Sequence, residues 1–409
     1  MTAELDSRRL VWPMVAVSLS AGFLVGGYEF IRSSAASIFM DAYGAQKMPY
    51  AMTAAPFALA LMIYLYGKAL SALGPLKTLL SNMLISALIF TGAYLALKAG
   101  ASRYTAGALY VFAEAYIVIL VEQYWSFINS TLSSGQAKVF NGPIAGGGAI
   151  GPMLAGWFIG HYAKAIGTEH MLLISAGALV PAGALIYWAY KMVGEPKPSE
   201  TEAREHKPLH LSVLKEYPVL PLLMGIIFLT QVLSTMLNLN FYQFIQSAYP
   251  EKDARTAYLG TFWMMVNGGG CVIQFLLAPI LLKRVPFRGI MTAIPAIHLA
   301  FAAVLLATPL LPVAAMGFGI FKMIDYSIFR AVKELIYIPL SYDARYRAKQ
   351  VVDSFTYRFS KGSTAGVLSG WELLFGKVAS SAYAWAAFAA ALAWLVIAQP
   401  LSKAHREAA

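Results

Sequence analysis

GEPKPSETEAREHKPLHLSVLKEY, residues 194–217, is a polar, proline-containing stretch in a chain of 409 residues that is 59% hydrophobic and only 12% charged. It is too hydrophilic to cross a bilayer, whose ~30 Å of hydrocarbon takes about twenty mostly apolar residues in a helix. Its composition suits a flexible cytoplasmic linker. On its N-terminal side, with Gly, Pro and charge as punctuation, apolar spans fall near 10–38, 50–70, 77–98, 104–131, 140–164 and 169–192. On its C-terminal side they fall near 217–246, 256–282, 286–308, 310–340, 349–375 and 379–402. The chain therefore reads as an all-α membrane protein of twelve transmembrane helices in two six-helix bundles, 1–193 and 217–409, joined by a linker over 194–216.

Mean hydropathy is +0.62, and the continuous apolar runs lack the short alternating segments of a membrane barrel. The single cysteine, Cys271, excludes an intramolecular disulfide framework. Arg8 and Arg9 precede the first apolar run, which ends without a small-residue cleavage site and reads as a retained first helix. With the N-terminus placed in the cytoplasm, the inside loops collect Arg8, Arg9, Lys138, Lys191, Arg204, Arg284, Arg345, Arg347, Lys349 and Lys403, among others. The outside loops keep few basic residues, such as Lys47, Lys98, Arg103, Lys164, Lys252 and Arg255. This asymmetry favours a multi-pass protein with both termini cytoplasmic. It also accounts for most of the net charge of +11, so the basicity reads as topology and not as a nucleic-acid surface.

Several charges fall at membrane depth. Glu29 and Arg32 lie about two thirds along the first span, Glu114 near the middle of the fourth, Lys322 and Asp325 near the centre of the tenth, and Arg358 and Lys361 one turn apart in the eleventh. A lipid-facing charge at such depth costs about 2.5–3.5 kcal/mol even on the lenient translocon scale, so these groups should face protein or a wet cavity. Glu29 with Arg32, and Lys322 with Asp325, are spaced i to i+3 and either neutralise one another or take part in coupling. Arg358 and Lys361 repel each other and call for an anion, either a carboxylate such as Glu114 or a ligand. Gln123, Trp125, Asn129, Gln231 and Asn238 either line an aqueous path or glue helices together. The glycine runs NGPIAGGGAIGPMLAG (141–156) and NGGG (267–270) suit close helix packing or bending and do not match a phosphate loop. The histidines and Cys271 show neither metal-ligand spacing nor a nucleophile context, so no enzyme, metal or cofactor is expected.

The segment 333–362 holds nine charged side chains in thirty positions. Lys333, Glu334, Tyr337, Pro339 and Leu340 fit an Arg/Lys-Glu-x-x-Tyr-x-Pro-Leu element. Arg345, Arg347, Lys349, Val352 and Asp353 fit a basic loop running into Ile-Asp, and Arg358, Ser360, Lys361 and Gly362 an Arg-x-x-Gly-Lys-Ser-like segment. Ala113-Glu114, Trp125 to Asn129, and Gln136-Ala137-Lys138 fit further elements of the first half. In these elements the chain resembles the nucleotide transporter family, the bacterial and plastid ATP/ADP translocases, and its two six-helix halves resemble the major facilitator superfamily. It departs at Arg32-Ser33-Ser34-Ala35-Ala36, where the family has Arg-Asp-x-Lys-Asp, so the arginine is kept and a lysine is lost.

The resemblance implies a secondary transporter that moves an anionic, nucleotide-like phosphorylated solute by alternating access. Arg32, Glu114, Arg358 and Lys361 are its expected substrate-binding residues. Lys333, Glu334, Arg345, Arg347 and Asp353 would form a cytoplasmic gate of ion pairs. The expected partners are a small anionic organic solute, a proton or counter-substrate, and the lipid bilayer of a bacterial inner membrane, with the chain acting as a monomer. A proton-coupled carrier of another polar metabolite and a flippase for a lipid-linked anion are the alternatives.

Overall fold

The computed structural model describes residues 7–194, 217–337, 339–340, 352 and 356–408. Except for Gly194, the expected linker lies outside the described residues, as do Arg345, Arg347 and Asp353 of the expected gate. Runs interrupted only by a π turn are taken as one helix. The elements are then α1 (Ser7–Tyr43), α2 (Met48–Leu73), α3 (Pro75–Lys98), α4 (Ser102–Thr131), α5 (Ser134–Ile166), α6 (His170–Val193), α7 (Val219–Ala248), α8 (Lys252–Arg284), α9 (Phe287–Ala307), α10 (Leu311–Tyr337), α11 (Thr356–Phe375) and α12 (Ser380–Ala408). No strand occurs among the described residues. Ten of these helices are long and apolar enough to cross a membrane; α5 and α11 fall below that mark. The reason is compositional: α5 is diluted by glycine, and α11 carries Arg358, Lys361 and Glu372.

Local chemistry sets the helix ends. Gly74 takes φ 78°, a left-handed conformation that lets α2 stop and α3 start at once, with Pro75 in the first turn where a missing N–H is harmless. Ser133 and Gln136 form a reciprocal capping box at the start of α5. The π turn of α8, Ile273–Leu277, ends two residues before Pro279, whose ring cannot continue the regular ladder. A second π turn, Asp325–Phe329, interrupts α10 at the buried Lys322 and its neighbour Asp325, and the two π turns touch.

The same packing pattern occurs twice. In the N-terminal half α1 packs on α4, α5 and α6, and α3 packs on α4 and α6. In the C-terminal half α7 packs on α10, α11 and α12, and α9 packs on α10 and α12. Shifting every number by six turns one set into the other. The compact units exchange two segments between these halves: one unit comprises Met1–Tyr43, Phe57–His206 and Pro250–Gly268, the other Gly44–Pro56, Lys207–Tyr249 and Gly269–Ala409. The first turns of α2 thus belong with the C-terminal helices, and the first half of α8 belongs with the N-terminal ones.

Lipid tails are as apolar as leucine, so close packing and not exclusion from water must hold such helices together. Glycine supplies the closeness where α1 meets α5, because a β-carbon added to Gly151 or Gly147 would collide with the backbone of Gly22 or Ser18. Gly151→Leu is expected to destabilise the protein by about 1–3 kcal/mol or more through overpacking. Gly142, with nothing within 4 Å of its added β-carbon, should accept alanine without loss. Thermal unfolding of both variants checks the contrast.

Candidate functional site

In the first unit, α1 brings Glu29 and Arg32 to one face, with Arg32 Nη1 3.7 Å from Glu29 Oε2. Glu29 is only 1% exposed. Asn267 of α8 donates its Nδ2–H to the same oxygen at 3.2 Å. The Arg32 guanidinium carbon stacks 3.1 Å from the centre of the Trp263 ring and lies 5.7 Å from the centre of the Tyr28 ring. Ion-pair attraction at this separation is about 4 kcal/mol at an effective dielectric of about 20, and a desolvated cation–π contact adds about 2. Together they offset part of the several kcal/mol lost on burying the charges.

Farther along the same helices, Arg255 of α8 is 1% exposed. Its Nη1 donates to the Pro250 carbonyl at 2.9 Å, and its Nη2 to the Ser37 carbonyl and to Asp41 Oδ1, both at 3.2 Å. At the N-terminus of α8, Asp253 Oδ1 accepts from the Thr168 amide at 2.9 Å and from its hydroxyl at 2.5 Å, while the Lys252 ammonium pairs with Glu169. This polar clasp fixes the first half of α8 against α1 and the loop between α5 and α6. Composition reading had counted Lys252 and Arg255 only as outside-loop charges. The missed signal was the Lys252-Asp253-x-Arg255 cluster on a face where basic residues are scarce.

Burial by itself would push the Glu169 carboxyl up, but the Lys252 hydrogen bond, a backbone amide and the neighbouring ammonium charges hold it below its ordinary value. A carboxylate depressed in the folded state stabilises it above the unfolded pKa of about 4.3, and that contribution disappears as pH falls through the lower folded value. Lys252→Ala is therefore expected to destabilise by about 1 kcal/mol at neutral pH. The difference from the parent should vanish in acid, in thermal unfolding measured across pH.

The second unit holds the other expected cations. Arg358 and Lys361 are half-buried near the start of α11. Beside them Gly362 lets Pro56 of α2 approach: an added β-carbon would lie 2.9 Å from the proline ring. Lys47 pairs with Glu372 at 2.8 Å, the Tyr50 hydroxyl donates to the Ser369 carbonyl at 3.4 Å, and the Ala45 amide donates to Gln246 at 2.5 Å. On α10, Lys322 is 8% exposed and its Nζ lies 5.4–5.7 Å from the ring centres of Phe318, Phe321 and Tyr326. No salt bridge joins it to Asp325 among the described residues, so the i, i+3 neutralisation seen for Glu29 and Arg32 is not repeated here. Glu114 is half-buried on α4, and Lys333 and Glu334 are half-buried in the last turns of α10.

The polar residues expected to line a cavity divide. Gln123 is buried and accepts a 3.3 Å hydrogen bond from Asn82, and Gln231 is buried and donates to Thr230 at 3.4 Å. Trp125 and Asn238 are half-buried, and Asn129 is exposed. Among the described residues no group of three or more His, Cys, Asp or Glu is placed to hold a metal ion. His298 is 2% exposed and lies between the rings of Phe321 and Trp394.

The helical spans with two equivalent packing patterns and ionisable residues inside them have counterparts among solved structures of membrane transporters. The chain is similar over 97% of its length to 99% of a variant of the nucleoside transporter NupG, at TM-score 0.67 and 12% identity. It is likewise similar over 96% of its length to 99% of a bacterial homologue of the iron transporter ferroportin, at TM-score 0.68 and 14% identity. The TLC ATP/ADP transporter profile matches residues 225–405. The chain is 24% identical over 373 residues to ADP,ATP carrier protein 1 of Chlamydia muridarum, covering 77% of this chain and 68% of that one. It is 23% identical over 318 residues to the chloroplastic ADP,ATP carrier protein 2 of Arabidopsis thaliana, covering 66% of this chain and 50% of the plant protein. Over its C-terminal half the chain is thus similar to the TLC ATP/ADP transporters, and its fold is similar to that of the transporter structures compared above.

Proposed function

We propose that the chain is a secondary transporter of a nucleotide or closely similar phosphorylated anion, working by alternating access through twelve spans with both termini cytoplasmic. The observation that carries the reading is the TLC match over 225–405, which includes Lys333, Glu334, Arg358 and Lys361. Arg32, Arg358 and Lys361 attract phosphate oxygens, and Glu114 supplies a compensating charge when the solute is absent. Stacking on Trp263 uses the face of the Arg32 guanidinium and directs hydrogen bonding to its edge, the geometry with which arginine engages phosphate. The lysine lost after Arg32 lowers the positive charge available, which favours a substrate less highly charged than ATP. Lys333, Glu334, Arg345, Arg347 and Asp353 act as the cytoplasmic gate.

The polar clasps of α8 and of the first turns of α2 support alternating access. Each holds a short helix segment by ion pairs and hydrogen bonds that can break and reform without unfolding an apolar core. Reconstitution into proteoliposomes with labelled nucleoside mono-, di- and triphosphates tests the proposal. Saturable uptake of at least one of them, reduced in Lys361→Ala, is the expected result. Absence of uptake of all three, or uptake indifferent to Lys361→Ala, Arg358→Ala and Arg32→Ala, defeats it.

A further inference from the structure

Asn267 and Arg32 both address Oε2 of Glu29, and Oε1 of the same carboxylate has no hydrogen-bond partner among the described residues. An ionised oxygen left in that state is among the least favourable groups a protein interior can hold. One and two turns farther along the same face of α1, Ser33 and Ser37 are fully buried, and their hydroxyl oxygens are also without partners among the described residues. One more turn leads to Asp41, whose side chain is 51% exposed. Four oxygen-bearing residues thus follow one another at i, i+4, i+8 and i+12, from a buried carboxylate to solvent. Helix α8 covers the row in antiparallel register, Asn267 opposite Glu29 and Arg255 opposite Asp41. Successive members are separated by ~6 Å of helix rise, a gap that one hydrogen-bonded water spans.

We propose that Glu29 is a proton-binding site, loaded from the aqueous side at Asp41 through Ser37 and Ser33. The step is a transfer along hydrogen bonds. A hydronium ion or the Asp41 carboxyl gives up a proton, each hydroxyl and bridging water passes one on, and an O–H bond forms at Glu29 Oε1. The product is a neutral carboxylic acid, and nothing is oxidised or reduced. Arg32 on its own helix and Asn267 on α8 contact Glu29, Tyr116 on α4 lies within its electrostatic reach, Trp263 on α8 stacks on Arg32, and the Ser175 hydroxyl on α6 donates to the Gly27 carbonyl; α5 contributes the apolar Ala155 and Ile159 beside Phe30. Arg32 is the one cation in this set. Protonation of Glu29 removes its partner charge and turns Arg32 toward an anionic solute, so proton and anion bind together. This second half rests on the transport reading above; the proton site does not.

Infrared difference spectra of the lipid-embedded protein, titrated with pH and without any nucleotide, test the site. The carbonyl band of a buried neutral carboxylic acid is expected in the parent, absent in Glu29→Gln, present in Asp325→Asn, and displaced in Glu29→Asp, which keeps a carboxyl if the glutamine variant fails to fold. Deuterium exchange of the band should slow several-fold in Ser33→Ala/Ser37→Val. A band that survives Glu29→Gln unchanged and undisplaced in Glu29→Asp, no band in the parent, exchange indifferent to both serines, or stabilisation by sodium without pH dependence each overturns the proposal. Proteoliposomes given labelled ADP under an imposed pH gradient separate the two readings. A titrating Glu29 band without ADP movement keeps the proton site and removes the nucleotide carrier, and ADP movement with a band indifferent to Glu29 does the reverse.

Discussion

Arg32→Ala is expected to be the most damaging single substitution in the first unit. It leaves Glu29, 1% exposed, as a buried carboxylate with its counter-charge removed, a change that typically costs about 3–5 kcal/mol. It also uncovers the face of Trp263. Stability and transport can be separated by the double variant Arg32→Ala/Glu29→Gln, which removes both charges. Its unfolding midpoint should return most of the way to the parent value, because replacing both partners of a buried pair is close to neutral. Transport should not return. Losing one charge-assisted contact of about 1.5–3 kcal/mol lowers apparent affinity roughly 10- to 100-fold. Recovery of transport along with stability would assign Arg32 a purely structural role.

The second large effect is expected at Arg255. Its guanidinium serves two backbone carbonyls, Pro250 and Ser37, as well as Asp41. Asp41 is half-exposed and Pro250 is exposed, so both remain solvated after Arg255→Ala; the fully buried Ser37 loses its bond to the guanidinium, and a hydrogen bond to a charged group is worth about 1.5–3 kcal/mol. The loss should appear as local release of the first half of α8. With Cys271 replaced by serine and a cysteine placed at the fully buried Thr256, maleimide labelling reports that release. Opening made easier by about 1–2 kcal/mol accelerates labelling by a factor of roughly 5–30. Labelling as slow as in the parent background would show that the clasp holds without Arg255.

The helical membrane class was legible because twenty-residue apolar runs leave few alternatives, and the glycines of 141–156 announced the close approach of α5 to its neighbour. The exchanged segments were not legible. Nothing in the composition of Met48–Pro56 or Lys252–Gly268 distinguishes them from the rest of their helices, since what separates them is which tertiary partners they meet. Among the site residues, the Glu29–Arg32 pairing followed from spacing, whereas Lys322 and Asp325, with the same spacing, do not pair: the lysine lies among Phe318, Phe321 and Tyr326 and the helix widens at Asp325. The clasp of Asp41, Glu169, Asp253 and Arg255 escaped notice because charges near span ends are ordinarily assigned to loops, and only three-dimensional contacts show them paired, with Arg255 buried.

The π turn of α10 changes what can be read from a helical wheel. A π turn accommodates one residue more than the α-turn it replaces, and one residue is worth about 100° of rotation. A wheel drawn with uniform periodicity from Phe318 to Tyr337 therefore puts Lys333 and Glu334 about a quarter-turn away from their true azimuth. Deleting one residue within Asp325–Phe329 would restore uniform pitch and swing both charges around the axis, an angular edit that no side-chain replacement can make.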